Sequence, residues 1–330
     1  MRVALDAMGG DFAPVETVKG AVEASWEYDI QICLVGHEDR IISELKKYKG
    51  FQNISIVHAE EVIGMKESPS VAVRQKKNSS VNVAVSLVKS KEADAVISAG
   101  NTGAFMASSL FGLGRIEGIE RPAIATLFPT IKGPDVLLLD MGANVDCKSK
   151  HLVQFAHMGS SYAERVIHVN NPRVGLLNIG EEAEKGNELT IETYGLLKKE
   201  KNINFIGNVE PKDMLSGEIN VVVCDGFIGN LILKFGESSS YAILSFLKQE
   251  LRKSIISKVA ASFLRKSFSN LKKRIDYDEY GGALLLGLNG VCIKAHGRAK
   301  SRAIKHAIRV AIDSVNEGVV QSISSGIKNK

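Results

Sequence analysis

Cysteine and proline are scarce in this 330-residue chain, and each scarcity excludes something. The four cysteines, Cys33, Cys147, Cys224 and Cys292, stand far apart and form no C-x-x-C or Cys/His cluster, so neither a zinc site nor a disulfide framework is indicated. A reducing cytosol fits that usage. Seven prolines against thirty glycines point to many tight turns and few rigid linkers. No Pro-rich, Gly/Ser-rich or repeated tract marks a seam, and one continuous domain over residues 1–330 is expected. No stretch reaches the roughly 18 apolar residues that a membrane span needs. The first residues, Met1-Arg-Val-Ala-Leu-Asp6, run straight into a strand-like pattern, so a chain neither secreted nor transmembrane is expected.

Nucleotide motifs are missing too. No G-x-x-x-x-G-K-[ST] occurs, and Met8-Gly-Gly10 is not G-x-G-x-x-G. What the chain does have is a series of short Val/Ile/Leu-rich runs separated by helical patterns: Val3 to Leu5, Ile30 to Val35, Ile54 to Val57, Ala95 to Ile97, Ala123 to Leu127, Val136 to Leu139, Val174 to Leu177, Asn204 to Ile206 and Val221 to Val223. Runs apolar on both faces suit a mainly parallel sheet covered by helices, so the expected class is three-layer α/β/α.

Five of the runs end in loops of Gly, Asn and Asp: Asp6-Ala-Met-Gly-Gly-Asp11, Ser98-Ala-Gly-Asn-Thr-Gly-Ala104, Asp140-Met-Gly-Ala-Asn144, Asn178-Ile-Gly-Glu-Glu-Ala-Glu-Lys-Gly-Asn187 and Cys224-Asp-Gly-Phe-Ile-Gly-Asn230. Parallel sheets bind ligands outside the carboxyl ends of their strands, where glycine lets backbone N–H groups and helix N-termini approach an anion. One such loop is as well explained by turn formation; five together point to one site for a small anion.

Charge is concentrated in one place. Between Lys248 and Arg274 nine Lys/Arg face one acid, Glu250, which gives the segment +8; subtracting that from the overall +5 leaves −3 for the rest. From Ser254 the pattern is helical, with Ile255, Val259 and Phe263 in one row and Ile256, Ala260, Leu264 and Phe268 in the next, flanked by Lys258, Arg265 and Lys266. This basic amphipathic insertion, at about 248–274, suits an anionic membrane surface through Ile255, Ile256, Val259, Phe263 and Leu264. Packing of the helix on the core and attraction of an acidic carrier protein are the alternatives. Nucleic acid is not expected: Tyr277 and Tyr280 lie just beyond the segment and no recognition motif is present.

The ordered set of loops resembles the PlsX family, the acyl-acyl-carrier-protein:phosphate acyltransferases, from Arg2 to about Val315. The resemblance implies that inorganic phosphate attacks the thioester of an acyl carrier protein to give acyl phosphate. That product feeds a membrane glycerol-3-phosphate acyltransferase and phospholipid synthesis. It also implies a homodimer, a fold related to the phosphate acetyltransferases and isocitrate-type dehydrogenases, and a cytoplasmic protein peripheral to the inner face of the membrane. No cofactor or metal is implied, since the transfer has no redox step.

Phosphate is already a nucleophile at neutral pH, so the chemistry asks for cations and N–H donors that hold a dianion against a carbonyl. With the resemblance, Lys185 and Asn230 are the expected catalytic residues. On sequence alone Lys185 reads equally as a solvated loop lysine and Asn230 as a helix cap. Phosphate or substrate contacts are expected from Gly9, Gly10, Asn101, Thr102, Asn144 and Asn178, and from Asp225, Gly226 and His296. Asp6, Asp11 and Asp225 repel phosphate and are expected to orient Lys185 or loop amides, or to hold turns. Arg298 is paired with His296 ahead of a last helix running from Ile304 to Val315. The rival readings are a phosphate acetyl- or butyryltransferase using coenzyme A thioesters, an NAD-dependent decarboxylating dehydrogenase, for which clustered carboxylates are not seen, and a non-catalytic membrane-associated scaffold.

Overall fold

The architecture is that of a computed structural model which describes residues 1–275 and 282–328. Eleven strands form one sheet: β1 Arg2–Asp6, β2 Gln31–Gly36, β3 Ile54–His58, β4 Ala95–Ser98, β5 Ala123–Phe128, β6 Val136–Leu139, β7 Arg173–Leu177, β8 Asn204–Val209, β9 Val221–Val223, β10 Ala283–Leu286 and β11 Val291–Lys294. Their spatial order is β3-β2-β1-β4-β11-β10-β5-β6-β9-β7-β8. The pairings β10 with β11, β10 with β5 and β5 with β6 are antiparallel, and the others are parallel.

Those three antiparallel steps divide the sheet into two parallel halves that run in opposite directions. Register then fixes where the halves end. Lys294, the last residue of β11, lies opposite Ala283; Leu284 lies opposite Ala125, and Ala125 opposite Leu139, the last residue of β6. Ser98 and Asp6, the last residues of β4 and β1, share the level of Lys294. The carboxyl ends of the two halves therefore meet within about one residue of each other along the middle of the sheet.

Alternation along each strand feeds a core on either face. Val3, Leu5, Ile32, Leu34, Leu137 and Leu139 pack under helices Val15–Ser25, Ser149–Arg165 and Ser301–Asn316; Ala4, Cys33, Val35, Val96, Leu138 and Cys292 pack under helices Ser80–Lys89, Thr102–Leu113 and the start of Gly226–Arg252. The sheet is thus the middle of three layers. The basic segment forms the end of the long helix Gly226–Arg252, then helices Ile255–Phe263 and Arg265–Ile275. Ile256 and Phe263 are 82% and 86% exposed and Leu264 is exposed, so these side chains are not packed on the core of this chain. The side chains of Ile255 and Val259, and Tyr277 and Tyr280 entirely, lie outside the described residues. Among the described residues no helix is long and apolar enough to cross a membrane.

Helices Val15–Ser25 and Ser301–Asn316 pack side by side, and Gly20 sets their spacing. A Cβ at Gly20 would sit 2.6 Å from Ile304 Cβ and 2.7 Å from the Ser301 carbonyl oxygen. Overpacking against backbone outweighs the roughly 1 kcal/mol that alanine gains over glycine in a helix. Gly20→Ala is therefore expected to lower stability by about 1–2 kcal/mol in thermal unfolding; an unchanged or raised Tm would show that the helix pair relaxes freely.

Candidate functional site

Where the two halves of the sheet meet there is a cavity of about 350 Å³. It is lined by Asp11 from the loop after β1, Thr102 from the helix after β4, Met141 from the loop after β6, and Asn230, Leu233, Lys234 and Glu237 from the long helix after β9. Lys294, His296 and Arg298, at and beyond the end of β11, complete the polar wall, while Met65, Ile124, Ala283 and Ala303 add apolar surface. Four of the five loop systems expected from the sequence thus reach one cavity. The fifth, residues 178–187, contributes no lining residue.

The loops hold their shape through the side chains that first suggest ligand contacts. Asn101 caps helix Thr102–Leu113: its Oδ1 accepts from Ala104 N at 3.0 Å, and its Nδ2 donates to the carbonyls of Met65 and Glu67 at 3.0 and 3.2 Å. Its amide is consumed by structure, and Thr102 faces the cavity instead. Asn144 Nδ2 donates to the Pro122 carbonyl and to Asp140 Oδ2, at 2.8 and 2.9 Å. Asp140 is the hub of its loop, accepting from the backbone N–H groups of Ile124, Gly142, Ala143 and Asn144 at 2.7 to 3.3 Å. Burial pushes the Asp140 carboxyl up, and those donors pull it back.

Glycine is required at two positions by close approach. A Cβ at Gly9 would lie 2.5 Å from Asp6 Oδ2 and 2.7 Å from Gly100 N, and one at Gly226 would lie 2.6 Å from the Asn144 carbonyl oxygen and 2.7 Å from Asp140 Oδ2. Gly10 adopts φ +104°, and the next residue, Asp11, donates its N–H to the Gly297 carbonyl at 2.8 Å, tying the β1 loop to the β11 loop. Gly9, Gly10 and Gly226 therefore shape the walls without lining the cavity. Asp225 caps the long helix, accepting from Phe227 N and Ile228 N at 2.9 and 3.0 Å. Asn230 is consequently not a cap. It lies one turn inside the helix, its Cβ 3.3 Å from the place a Gly142 side chain would occupy, and it lines the cavity.

Asn178 donates Nδ2 to the Lys185 carbonyl at 2.9 Å and so braces the loop 178–187. Asn187 caps helix Glu188–Leu197 through Thr190 N at 3.0 Å. Lys185 itself is exposed and outside the cavity lining of its own chain. His296 is exposed at the rim, with Nδ1 accepting from Arg298 N at 3.2 Å. Asp6 holds turns, accepting from Met8 N and from Ser98 Oγ, and does not approach Lys185.

Two lining cations are not among the expected site residues: Lys234, and Lys294, which is only 7% exposed. A sequence signal for Lys294 exists, since a lysine ending an apolar run just before the His296-Gly-Arg298 loop repeats the strand-end pattern of the other loops. All four cysteines have thiols pushed up by burial, Cys147 and Cys292 to about 12, so the cysteines are protonated at neutral pH and are poor nucleophiles.

This geometry can bring an anion to cations, an amide and a helix start, with an apolar patch alongside. Residues 1–322 match the family model described as fatty acid synthesis protein. The chain is 54% identical to a phosphate acyltransferase from Desulforamulus reducens over 331 residues, covering 100% of this chain and 98% of that protein. It is 51% identical to a phosphate acyltransferase from Dictyoglomus turgidum, covering 99% and 98%. The chain belongs to the fatty acid synthesis protein family, and the PlsX resemblance of its motifs extends over its whole length. Among solved structures it is similar in fold to a phosphotransacetylase from Streptococcus pyogenes (TM-score 0.59, 15% identity, 99% of this chain and 94% of that one). It is equally similar to the EutD phosphotransacetylase from Staphylococcus aureus (TM-score 0.60, 14% identity, 96% and 94%).

Because Asp140 satisfies four backbone donors in a buried loop, removing it strands them. Asp140→Ala is expected to cost about 3 kcal/mol or more in denaturant unfolding; a loss below about 1 kcal/mol would mean that water replaces the carboxylate there.

Proposed function

We infer that this chain transfers an acyl group from a thioester to inorganic phosphate, and that acyl carrier protein carries the thioester. The observation that carries the reading is the cavity between the half-sheets, lined by polar Asn230, Lys234, Lys294, His296 and Arg298 and by apolar Met65, Ile124 and Met141, in a chain half identical to phosphate acyltransferases over its whole length. The phosphate dianion is held by the cations; its oxygen attacks the acyl carbonyl, and the Asn230 amide donates to the oxyanion that develops. Direct attack suits a chain whose thiols are held protonated, because an acyl-cysteine intermediate needs a thiolate.

Lys185 is proposed as the cation that brings phosphate in, from a loop at the same carboxyl edge as Asn144 and Asp225. Gly9, Gly10, Asn144, Asn178 and Gly226 serve by fixing the loop backbones, and Thr102 and His296 by contact. The working form is proposed to be a homodimer: Phe227, Leu231 and Phe235 repeat every four residues along the long helix and are all exposed, Phe235 by 73%, which makes a stripe for a second copy to cover. The exposed Ile256, Phe263 and Leu264, beside a +8 segment, support docking on an anionic membrane at its cytoplasmic face. There the acyl phosphate passes to a glycerol-3-phosphate acyltransferase. The fold likeness to phosphotransacetylases favours a second reading, in which coenzyme A carries a short acyl group.

The test is incubation of the pure protein with palmitoyl-acyl carrier protein, with and without phosphate. Phosphate-dependent release of carrier thiol and a hydroxylamine-sensitive acyl phosphate are expected. Turnover of acetyl-coenzyme A alone would transfer the chain to the second reading. Lys185→Ala is expected to lose about 10²-fold or more in kcat with its fold unchanged; retained turnover would remove Lys185 from the mechanism. Replacing Ile256 and Phe263 together by Glu is expected to abolish sedimentation with anionic vesicles while leaving transfer in solution intact. Unchanged sedimentation would place the membrane contact elsewhere.

A further inference from the structure

Three polar side chains end three neighbouring strands at one level. Asp6 of β1 lies opposite Ser98 of β4, and Ser98 opposite Lys294 of β11. All three fall on the sheet face of Ala4, Val96 and Cys292, two residues earlier on each strand. Each is buried: Asp6 is 2% exposed, Ser98 0% and Lys294 7%. Ser98 Oγ donates to Asp6 Oδ2 at 2.7 Å and accepts from Gly100 N at 3.0 Å, so Ser98 is locked, while Lys294 Nζ donates to the carbonyl of its neighbour Ala295. A lysine so far from water is costly unless it has work to do, and this one opens on the cavity.

The reaction inferred above leaves a specific task undone. When a phosphate oxygen bonds to the acyl carbon, the C–S bond breaks and its electron pair leaves on sulfur. An alkyl thiolate is more basic than the hydrogen phosphate that competes with it to leave, so a proton favours its departure, and that proton is the one that the phosphate nucleophile carries and the acyl phosphate product sheds. Resting on the phosphate acyltransferase reading, we propose that Lys294 is a further catalytic residue which gives a proton from Nζ to the departing thiolate and regains one from the phosphoryl group. Charges and atoms balance: hydrogen phosphate and thioester become acyl phosphate dianion and thiol, and Lys294 returns to its starting state.

The surroundings suit that duty. Burial lowers the Lys294 ammonium to about 8, partly offset by the carboxylate of Asp6, which places it near the working pH where a proton carrier is most effective. The other charged groups facing the cavity are Asp11 from the β1 loop, Lys234 and Glu237 from the long helix, and His296 and Arg298 from the β11 loop. Since the lysine must start protonated, its contribution is full below about pH 8 and falls as the pH rises through that value. Lys185, exposed on its loop and outside the cavity lining, is left to bind phosphate.

The experiment compares two thioester donors on the full-length protein: the acyl carrier thioester, with its alkyl thiol, and an aromatic thioester whose thiolate leaves without a proton. In the wild type the rate with the carrier thioester is expected to fall above about pH 8, and that limb is expected to be absent with the aromatic donor. A limb of equal size with both donors overturns the proposal, and this comparison needs no variant to fold. Lys294→Met, with its fold checked by circular dichroism, is expected to lose about 10²-fold or more in kcat with the carrier thioester and less than about tenfold with the aromatic one. Lys294→Arg keeps the charge but cannot release a proton, and is expected to behave like Lys294→Met. Restoration by Arg, or equal losses with both donors, overturns proton transfer. A wild type silent with every thioester sinks the acyltransferase reading itself, whereas an active wild type with unimpaired Lys294 variants sinks this proposal alone.

Discussion

Everything in the candidate site depends on one register. Three antiparallel pairings, β10 with β11, β10 with β5 and β5 with β6, reverse the sheet, and the pairings Lys294 to Ala283, Leu284 to Ala125 and Ala125 to Leu139 bring the carboxyl ends of both halves to one line. A one-residue slip would turn the side chains of a whole strand to the other face. Here it would carry Lys294 out of the cavity and into the core of Val291 and Ile293. Hydrophobic alternation guards that register, since both faces are buried and a lysine has only one place to go. The same line collects the start of helix Thr102–Leu113 and the first turns of Gly226–Arg252, so the polar wall is assembled from segments more than a hundred residues apart.

Within that frame the buried carboxylates do the holding and the cations do the binding. Asp140 and Asp6 sit behind the loops, each satisfying several donors, and neither is placed to repel an incoming anion from the cavity surface. Asp11 and Glu237 at the wall are balanced there by Lys234, Lys294, His296 and Arg298. The acids expected to be awkward neighbours for phosphate are mainly the scaffolding that shapes its walls.

The class of fold and the strands β1 to β9 were legible as apolar runs between helical patterns, because burial on both faces leaves a dense local signal. β10 and β11 were not among the runs: they follow a long helical insertion, and Ala283–Leu286 has no β-branched residue to mark it as a strand. Missing them meant missing the reversal, and with it Lys294. The loops were found by their glycines and amides, yet the duties of Asn101, Asn144 and Asn178 as caps and braces depend on partners such as Met65 and Pro122 that are distant in sequence. Asn230, expected from its motif as a catalytic residue, lines the cavity from a position inside the helix that only the Asp225 cap reveals. The amphipathic rows of the basic segment fit core and membrane equally well on paper; the exposure of Ile256 and Phe263 decides against the core of this chain.

The central claim is that phosphate binds where the two half-sheets meet. Arsenate has the shape and charge of phosphate and scatters anomalously, so a crystal of the protein grown with arsenate locates the anion directly. The account predicts an anomalous peak inside the cavity, within hydrogen-bond distance of Asn230 or Lys294. A peak only at a surface remote from Asn230, Lys234, Lys294, His296 and Arg298, with the cavity empty, would contradict it.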